Sequence, residues 1–435
     1  MKSRNPSHRL LWRAAKMCGP AWLCLGLGST VSFAQSAIVG VPSIPEDQII
    51  PPAPQTPTSP TPTGTAAPPI NPNRVPSQPL QWGPVVFYPD LNYQFFFATG
   101  ILSQPGQPQD TFMNLISPGL AATIGSHWKL EYIPTLSFYS DPAFQNSFDQ
   151  NILLSGKTQY EDWTYNFKQS CSLTKDVQVQ TAQQTEEQNY ITTVGAQYEL
   201  NDSTFWDFRA NQSLLFLHNL PGSVGNSLDW LGFSSLNYRW APNFSAGGGI
   251  GAGYNPVEFG ANMIYQQVQA NLTWKIAHKL DLVANGGVEF RQFLDSTQPQ
   301  LISPISAVTL NYRPFEGTSL SFNSSRDVSA AYYENLATQT TSINATLLQR
   351  ALNWLTLGVS GGYFATSYHS TGAPGVNFAY AGRMDKLTSI GASLNTPFLK
   401  HGTASAYYTY SHNSSNEAGF SYTSNQVGFQ LSYRY

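Results

Sequence analysis

The sequence SNQVGFQLSYRY, residues 424–435, alternates between apolar and polar or small side chains. Val427 and Phe429 share one parity, and Gly428 and Gln430 share the other. Successive side chains of a β-strand point to opposite faces of the sheet. The alternation therefore predicts a strand with one apolar face and one hydrated face.

The same alternation begins near residue 85 and continues to the end of the chain, in about 18 segments that each have strand character. Examples are HWKLEYIPTLSFYS (127–140), EDWTYNFKQSCSLT (161–174) and HKLDLVANGGVEFRQF (278–293). Apolar faces this numerous form a surface too large to leave in water, whereas the polar faces need water. A closed barrel with lipid outside and water inside satisfies both requirements and leaves no open edge.

The sequence therefore predicts an all-β fold, a transmembrane antiparallel up-and-down β-barrel of about 18 strands (16–18) in an outer membrane, covering 85–435. Connection lengths support this interpretation, because short and long ones alternate along the chain. The short ones are Ser126, 201–203, 241–242, Ala277 and 351–352, and the long polar ones are 175–188, 217–225, 330–339 and 369–382. Outer-membrane barrels have short periplasmic turns and longer extracellular loops.

Tryptophans cluster beside the predicted short turns. The indole ring prefers the headgroup level, where its ring contacts lipid and its N–H contacts water. These positions predict a periplasmic aromatic girdle of Trp128, Trp163, Trp206, Trp240 and Trp274, with Trp354 nearby.

Two segments precede the barrel. Residues 1–34 combine a basic start, a short apolar run and small residues before a cleavage site after Ala34, which predicts a secretory signal peptide. Residues 35–84 are rich in proline, as in PPAPQTPTSPTPTGTAAPP (51–69), and predict a disordered periplasmic linker. This linker is interpreted either as a passive spacer or as a segment that binds peptidoglycan or a periplasmic protein.

Composition excludes several classes of function. Charged residues make up 11% of the chain and its formal net charge is −3, without a basic cluster, which argues against a nucleic-acid partner. Cys171 is the only cysteine after the predicted signal peptide, so the mature chain cannot form an internal disulfide or a cysteine-based zinc site. The histidines are scattered and form no catalytic pattern. We therefore expect neither an enzyme nor a cofactor or metal site.

Charged side chains on the polar faces are the predicted lumen lining: Lys129, Glu131, Lys168, Asp207, Arg209, Asp229, Arg239, Lys275, Asp281, Glu289, Arg291 and Arg434. One interpretation is that they form ion pairs and solvate the inner wall. The other is that they create a transverse field at a constriction, which would select solutes by charge. Because the signs are mixed, the sequence predicts at most mild ion selectivity.

The last strand resembles the terminal signal by which the barrel assembly machinery recognises bacterial outer-membrane barrels, on Gln426, Gly428, Leu431, Tyr433 and Tyr435. Residues 85–435 also resemble the putative β-barrel porin family associated with polysaccharide-export loci. That resemblance rests on the overall sequence pattern and on the closing hairpin YTYSHNSSNEAGFSYTSNQVGFQLSYRY, residues 408–435. His412 and Asn413 stand before the Ser pair, where that family often has Arg.

These observations predict an outer-membrane channel for the passive passage of small hydrophilic solutes. Two alternatives stay open. One is an accessory or export channel of an exopolysaccharide system, and the other is a non-conducting barrel that serves a structural role.

Overall fold

The computed structural model describes residues 80–218, 224–276, 279–294, 296–372 and 379–434. The predicted signal peptide, most of the predicted linker, Ala277 and Tyr435 lie outside these residues. Residues 80–84, the end of the predicted linker, form a short strand and a turn that lead into the barrel.

The described residues form one antiparallel sheet. Its strands are β1 (Leu80–Trp82), β2 (Val85–Gln104), β3 (Gln107–Ile124), β4 (Trp128–Tyr132), β5 (Thr135–Tyr139), β6 (Ser147–Tyr160), β7 (Trp163–Gln178), β8 (Gln183–Glu199), β9 (Thr204–His218), β10 (Ser227–Ala241), β11 (Phe244–Asn255), β12 (Met263–Ile276), β13 (Leu280–Phe293), β14 (Leu301–Phe315), β15 (Thr318–Ala330), β16 (Leu336–Leu352), β17 (Leu355–Ser370), β18 (Met384–Phe398), β19 (Gly402–Ser415) and β20 (Tyr422–Arg434).

The wall of the barrel consists of 18 strand crossings. The strands β4 and β5 are two halves of one crossing, because both pair with β3 on one side and with β6 on the other. The break between them falls at Ile133 and Pro134, and proline has no N–H to donate to a neighbouring strand. The predicted number of strands is therefore confirmed.

The barrel closes between its first and last wall strands. Strand β20 pairs with β2, so that Asp90 lies opposite Arg434 and Thr99 lies opposite Asn425. Every other wall strand pairs with its neighbours in the sequence. The topology is therefore the predicted up-and-down barrel, in which the stretch that ends the sequence becomes part of the wall.

The two faces of the wall differ as the alternation predicts. On β12, Val268 is 55% exposed on the outer face, whereas its neighbour Gln267 is 3% exposed on the inner face. On β20, Val427 is 56% exposed and Gln430 only 2%. Large apolar side chains are thus exposed on the outside, where contact with lipid removes the cost of leaving them in water.

Two predicted loops are shorter in the structure than the sequence suggests. Residues 175–188 are mostly strand, because β7 continues to Gln178 and β8 begins at Gln183. Residues 330–339 likewise shorten to a turn between Ala330 and Leu336. Both interpretations were wrong because the alternation is hidden: 175–188 carries polar residues on both parities, and β16 begins with apolar residues on both, Leu336 and Ala337. The predicted turn at 351–352 lies two residues later, at 353–354.

Closure of the barrel depends on a close approach at Gly428. A Cβ atom there would lie 2.4 Å from the backbone oxygen of Phe95 on β2, which is well inside van der Waals contact. We therefore expect Gly428→Val to reduce strongly the amount of folded, heat-modifiable barrel. The matched control is Gly232→Val on β10, where the nearest atom would lie 4.0 Å away.

Gly428 also belongs to the predicted assembly signal, and refolding from urea into detergent separates the two roles, since no assembly machinery is present. Equal refolding of the two valine variants would show that the close approach at Gly428 does not limit closure.

Candidate functional site

The inner wall is the candidate site, and three of its charged pairs join residues two apart on one strand. Arg291 and Glu289 approach to 2.7 Å, Arg209 and Asp207 to 3.5 Å, and Lys129 pairs with Glu131. Side chains two apart on a strand share a face, so each pair neutralises itself locally.

Two further pairs connect different strands. Both terminal guanidinium nitrogens of Arg239 donate to the Glu199 carboxylate at 2.6 Å, and this guanidinium lies 4.5 Å from the centre of the Phe205 ring. Arg434 lies 3.6 Å from Asp90 across the closing strands. The carboxylates of Glu199 and Asp90 are not among the predicted lumen residues, although both lie on the polar parity of their strands.

The remaining predicted residues have other surroundings. Lys168 is exposed on the inner face of β7. Lys275 and Asp281 lie opposite each other on β12 and β13. Asp229 accepts hydrogen bonds of 3.0 and 2.9 Å from the Tyr265 hydroxyl. For most of the predicted lumen residues, local pairing therefore supports the interpretation that they form ion pairs and solvate the wall.

The five predicted girdle residues lie within three residues of strand ends on the short-turn side. Four of them are exposed, and Trp163 is half-buried against Tyr198 and Tyr165. The five indoles therefore occupy one end of the outer surface.

The opposite end is covered by the turn between β7 and β8. All four of its residues, Val179 to Ala182, are buried. The backbone oxygens of Val179 and Gln180 accept hydrogen bonds of 3.0 and 2.9 Å from Arg383, which directly precedes β18. Because several wall strands separate β8 from β18 in either direction around the barrel, this turn must reach across the lumen.

The turn between β15 and β16 also bends inward. Pairing of β14 with β15 ends at Ser306 and Arg326, although both strands continue beyond these residues. Beyond that point Ala330 packs against Met263 and Phe293 on the inner wall of β12 and β13. The end of β15 has therefore separated from β14 and bends into the barrel with its turn, whereas β16 stays paired with β17 as far as Leu336.

The two inward turns meet at Tyr332. Its backbone N–H donates to the Gln180 side chain at 3.2 Å, and its hydroxyl donates to Glu187 at 2.9 Å. Burial raises the pKa of the Tyr332 hydroxyl well above its usual value, so the group keeps the proton that it donates. We call the two turns, 179–182 and 331–335, together with 380–383 and Phe420, the cap.

Arg383 holds the cap together. Its side chain is fully buried, forms a 2.6 Å ion pair with Asp385 and lies 3.5 Å from the centre of the Phe420 ring. It also donates to the backbone oxygens of Val179 and Gln180, as described above. The guanidinium therefore contacts groups from three separate segments of the chain. Arg383 is not among the predicted site residues, because nothing in the local pattern of 383–396 identifies its partners.

An apolar area on the inner wall explains why the β7–β8 hairpin enters the lumen. Phe96, Met113 and Tyr407 are buried on inner faces, and Val177 of the hairpin packs against this cluster. Burying these side chains removes apolar surface from water. The sequence contains a signal of this exception, since FFFATGI (95–101) is apolar on both parities.

Within the described ranges, no group of three or more histidine, cysteine or carboxylate side chains is placed to hold a metal ion. The same residues contain no helix long and apolar enough to cross a membrane.

No protein-family model and no curated protein matches the sequence. Solved structures with a similar fold include the outer membrane protein opdK from Pseudomonas aeruginosa, at 10% identity and a TM-score of 0.40, over 80% of this chain and 98% of that one. OccAB4 from Acinetobacter baumannii is similar at 9% identity and a TM-score of 0.42, over 83% and 100% of the two chains. The likeness is confined to the barrel fold.

Proposed function

We propose that this protein is an outer-membrane channel for the passive passage of small hydrophilic solutes. The observation that carries the proposal is a closed barrel of 18 strands with an apolar outer surface and a polar, charged inner wall. Barrels of 16 to 18 strands leave an aqueous channel, whereas eight-stranded barrels fill with side chains. The outer surface needs lipid, and the inner wall needs water.

The short-turn end is assigned to the periplasm and the capped end to the cell exterior. Outer-membrane barrels have their short turns on the periplasmic side, and the girdle indoles lie at that end. The cap then narrows the external mouth. Passage is therefore restricted to small solutes.

Planar bilayers test this proposal directly. The purified, folded full-length protein is expected to give discrete single-channel currents and to let small sugars swell proteoliposomes faster than large ones. Heat-unfolded protein from the same preparation is the control, and it should give neither signal. Absence of currents from protein that is demonstrably folded would contradict the channel proposal.

The cap favours a second candidate, a non-conducting barrel with a structural role, and silent bilayers with folded protein would support it. The finer assignment to an accessory of polysaccharide export rests only on the family resemblance of 85–435, including the closing hairpin 408–435, and stays a prediction. We further propose that 35–84 serves as a periplasmic spacer that contacts peptidoglycan or a periplasmic protein, and that the barrel assembly machinery inserts the chain.

A further inference from the structure

Three carboxylates form an acidic patch on the inner wall below the cap: Asp149 on β6, Asp176 on β7 and Glu187 on β8. Asp176 lies within electrostatic range of the other two. Within the described part of the chain, none of the three takes part in an ion pair. The acidic patch therefore differs from most of the charged wall, where opposite charges neutralise each other locally.

Strand pairing places carbonyl oxygens beside the acidic patch. Asn151 and Asn189 both lie opposite Ser172, on either side of β7. Each asparagine is two residues from a patch carboxylate on its own strand and so shares its face, Asn151 beside Asp149 and Asn189 beside Glu187.

The side-chain oxygens of these two asparagines lack a hydrogen-bond partner among the described residues. Both residues are nevertheless buried, since each is only 7% exposed. Gln178, 5% exposed and two residues beyond Asp176, also has an unpartnered side-chain oxygen. A buried polar atom without a partner carries a free-energy cost, and three such oxygens lie here beside carboxylates.

The groups that donate to the acidic patch are uncharged. The backbone N–H of Lys175 and the hydroxyl of Ser147 donate to Asp149 at 2.9 and 3.0 Å. The Tyr332 hydroxyl donates to Glu187. The ammonium group of Lys175 donates instead to the Gln145 side chain, at 2.6 Å. Hydrogen bonding is thus partly satisfied, and the negative charge is balanced only in part, by the electrostatic effect of Lys175 on Asp149.

We propose that the acidic patch binds the ammonium or guanidinium group of an organic cation on its way through the channel. Such groups carry several N–H donors and a positive charge, and the patch offers carboxylates and unpartnered amide oxygens. The cation takes the place of the Tyr332 hydroxyl, a group of the cap, as hydrogen-bond donor to Glu187. This inference rests on the proposed channel function, and it names the class of solute that the channel prefers.

Spermidine, which carries only ammonium groups, is the probe. In bilayers under a KCl gradient, the wild-type channel is expected to favour K⁺ over Cl⁻, and added spermidine should reduce its current. Glu187→Gln and Asp176→Asn should each weaken the spermidine block by about tenfold or more, the usual value of a hydrogen bond to a charged group. Heat-modifiability confirms that each variant is folded.

Glu186→Gln is the matched control. Glu186 precedes Glu187 on β8 but pairs with Lys175 on the other face of the strand, so the same loss of charge occurs outside the acidic patch. This variant should keep the wild-type selectivity and block. If the channel conducts but spermidine does not block it, the inference is wrong and the channel proposal stands. The same holds if Glu187→Gln and Glu186→Gln show the same spermidine block. If folded wild-type protein gives no current, the channel proposal itself fails.

Discussion

Replacing the β7–β8 turn, 179–182, by the dipeptide Asn-Gly is expected to raise the single-channel conductance several-fold. The turn is buried in the lumen and contacts Arg383 and Tyr332, which belong to other parts of the cap. Asn-Gly is the preferred dipeptide of a two-residue hairpin turn, so β7 and β8 stay paired while the residues that cross the mouth are removed.

The matched control shortens the other end of β8 in the same way. There the turn 200–203 also has four residues between strand ends, but it belongs to the short-turn side, away from the cap. Its replacement by Asn-Gly should leave the conductance unchanged. Equal conductance of the wild type and of the variant lacking 179–182, with both proteins folded, would mean that the cap does not limit passage.

Changing Arg383 to Gln is expected to produce the second large effect, a loss of about 3–5 kcal/mol in the free energy of unfolding. The substitution leaves Asp385 buried without its cation, and it removes the donors to the backbone oxygens of Val179 and Gln180. Urea titration of the folded barrel measures the stability. Single-channel recordings of the same variant should show a larger and noisier current, because the cap is no longer held.

Two further variants separate the causes. In Arg383→Gln combined with Asp385→Asn, no charge is left unpaired, so most of the lost stability should return while the noisy current persists. Arg239→Gln is the control for a half-exposed pair, because the side chains of Arg239 and Glu199 are both 32% exposed. Pairs that remain in contact with water are worth about 0–1 kcal/mol. Equal losses for Arg239→Gln and Arg383→Gln would contradict the role given to Arg383.

The alternation of the sequence determined the wall of the barrel. In each strand, one face meets lipid and the other faces the lumen, so the environment of a residue is set by its parity and is encoded locally. That is why the strand number, the outward side of residues such as Val427, and the closure of β20 against β2 follow from patterns of about a dozen residues.

The tertiary structure alone decided what lies inside the barrel. The turn 179–182 lies in a segment that looks like a polar loop, and its contact with Arg383 joins positions 203 residues apart in the sequence. The acceptors in that contact are backbone oxygens, which every residue has, so no side-chain pattern identifies them. Periodicity records which face of a strand is apolar, whereas the cap depends on contacts between distant segments that form only once the wall is closed.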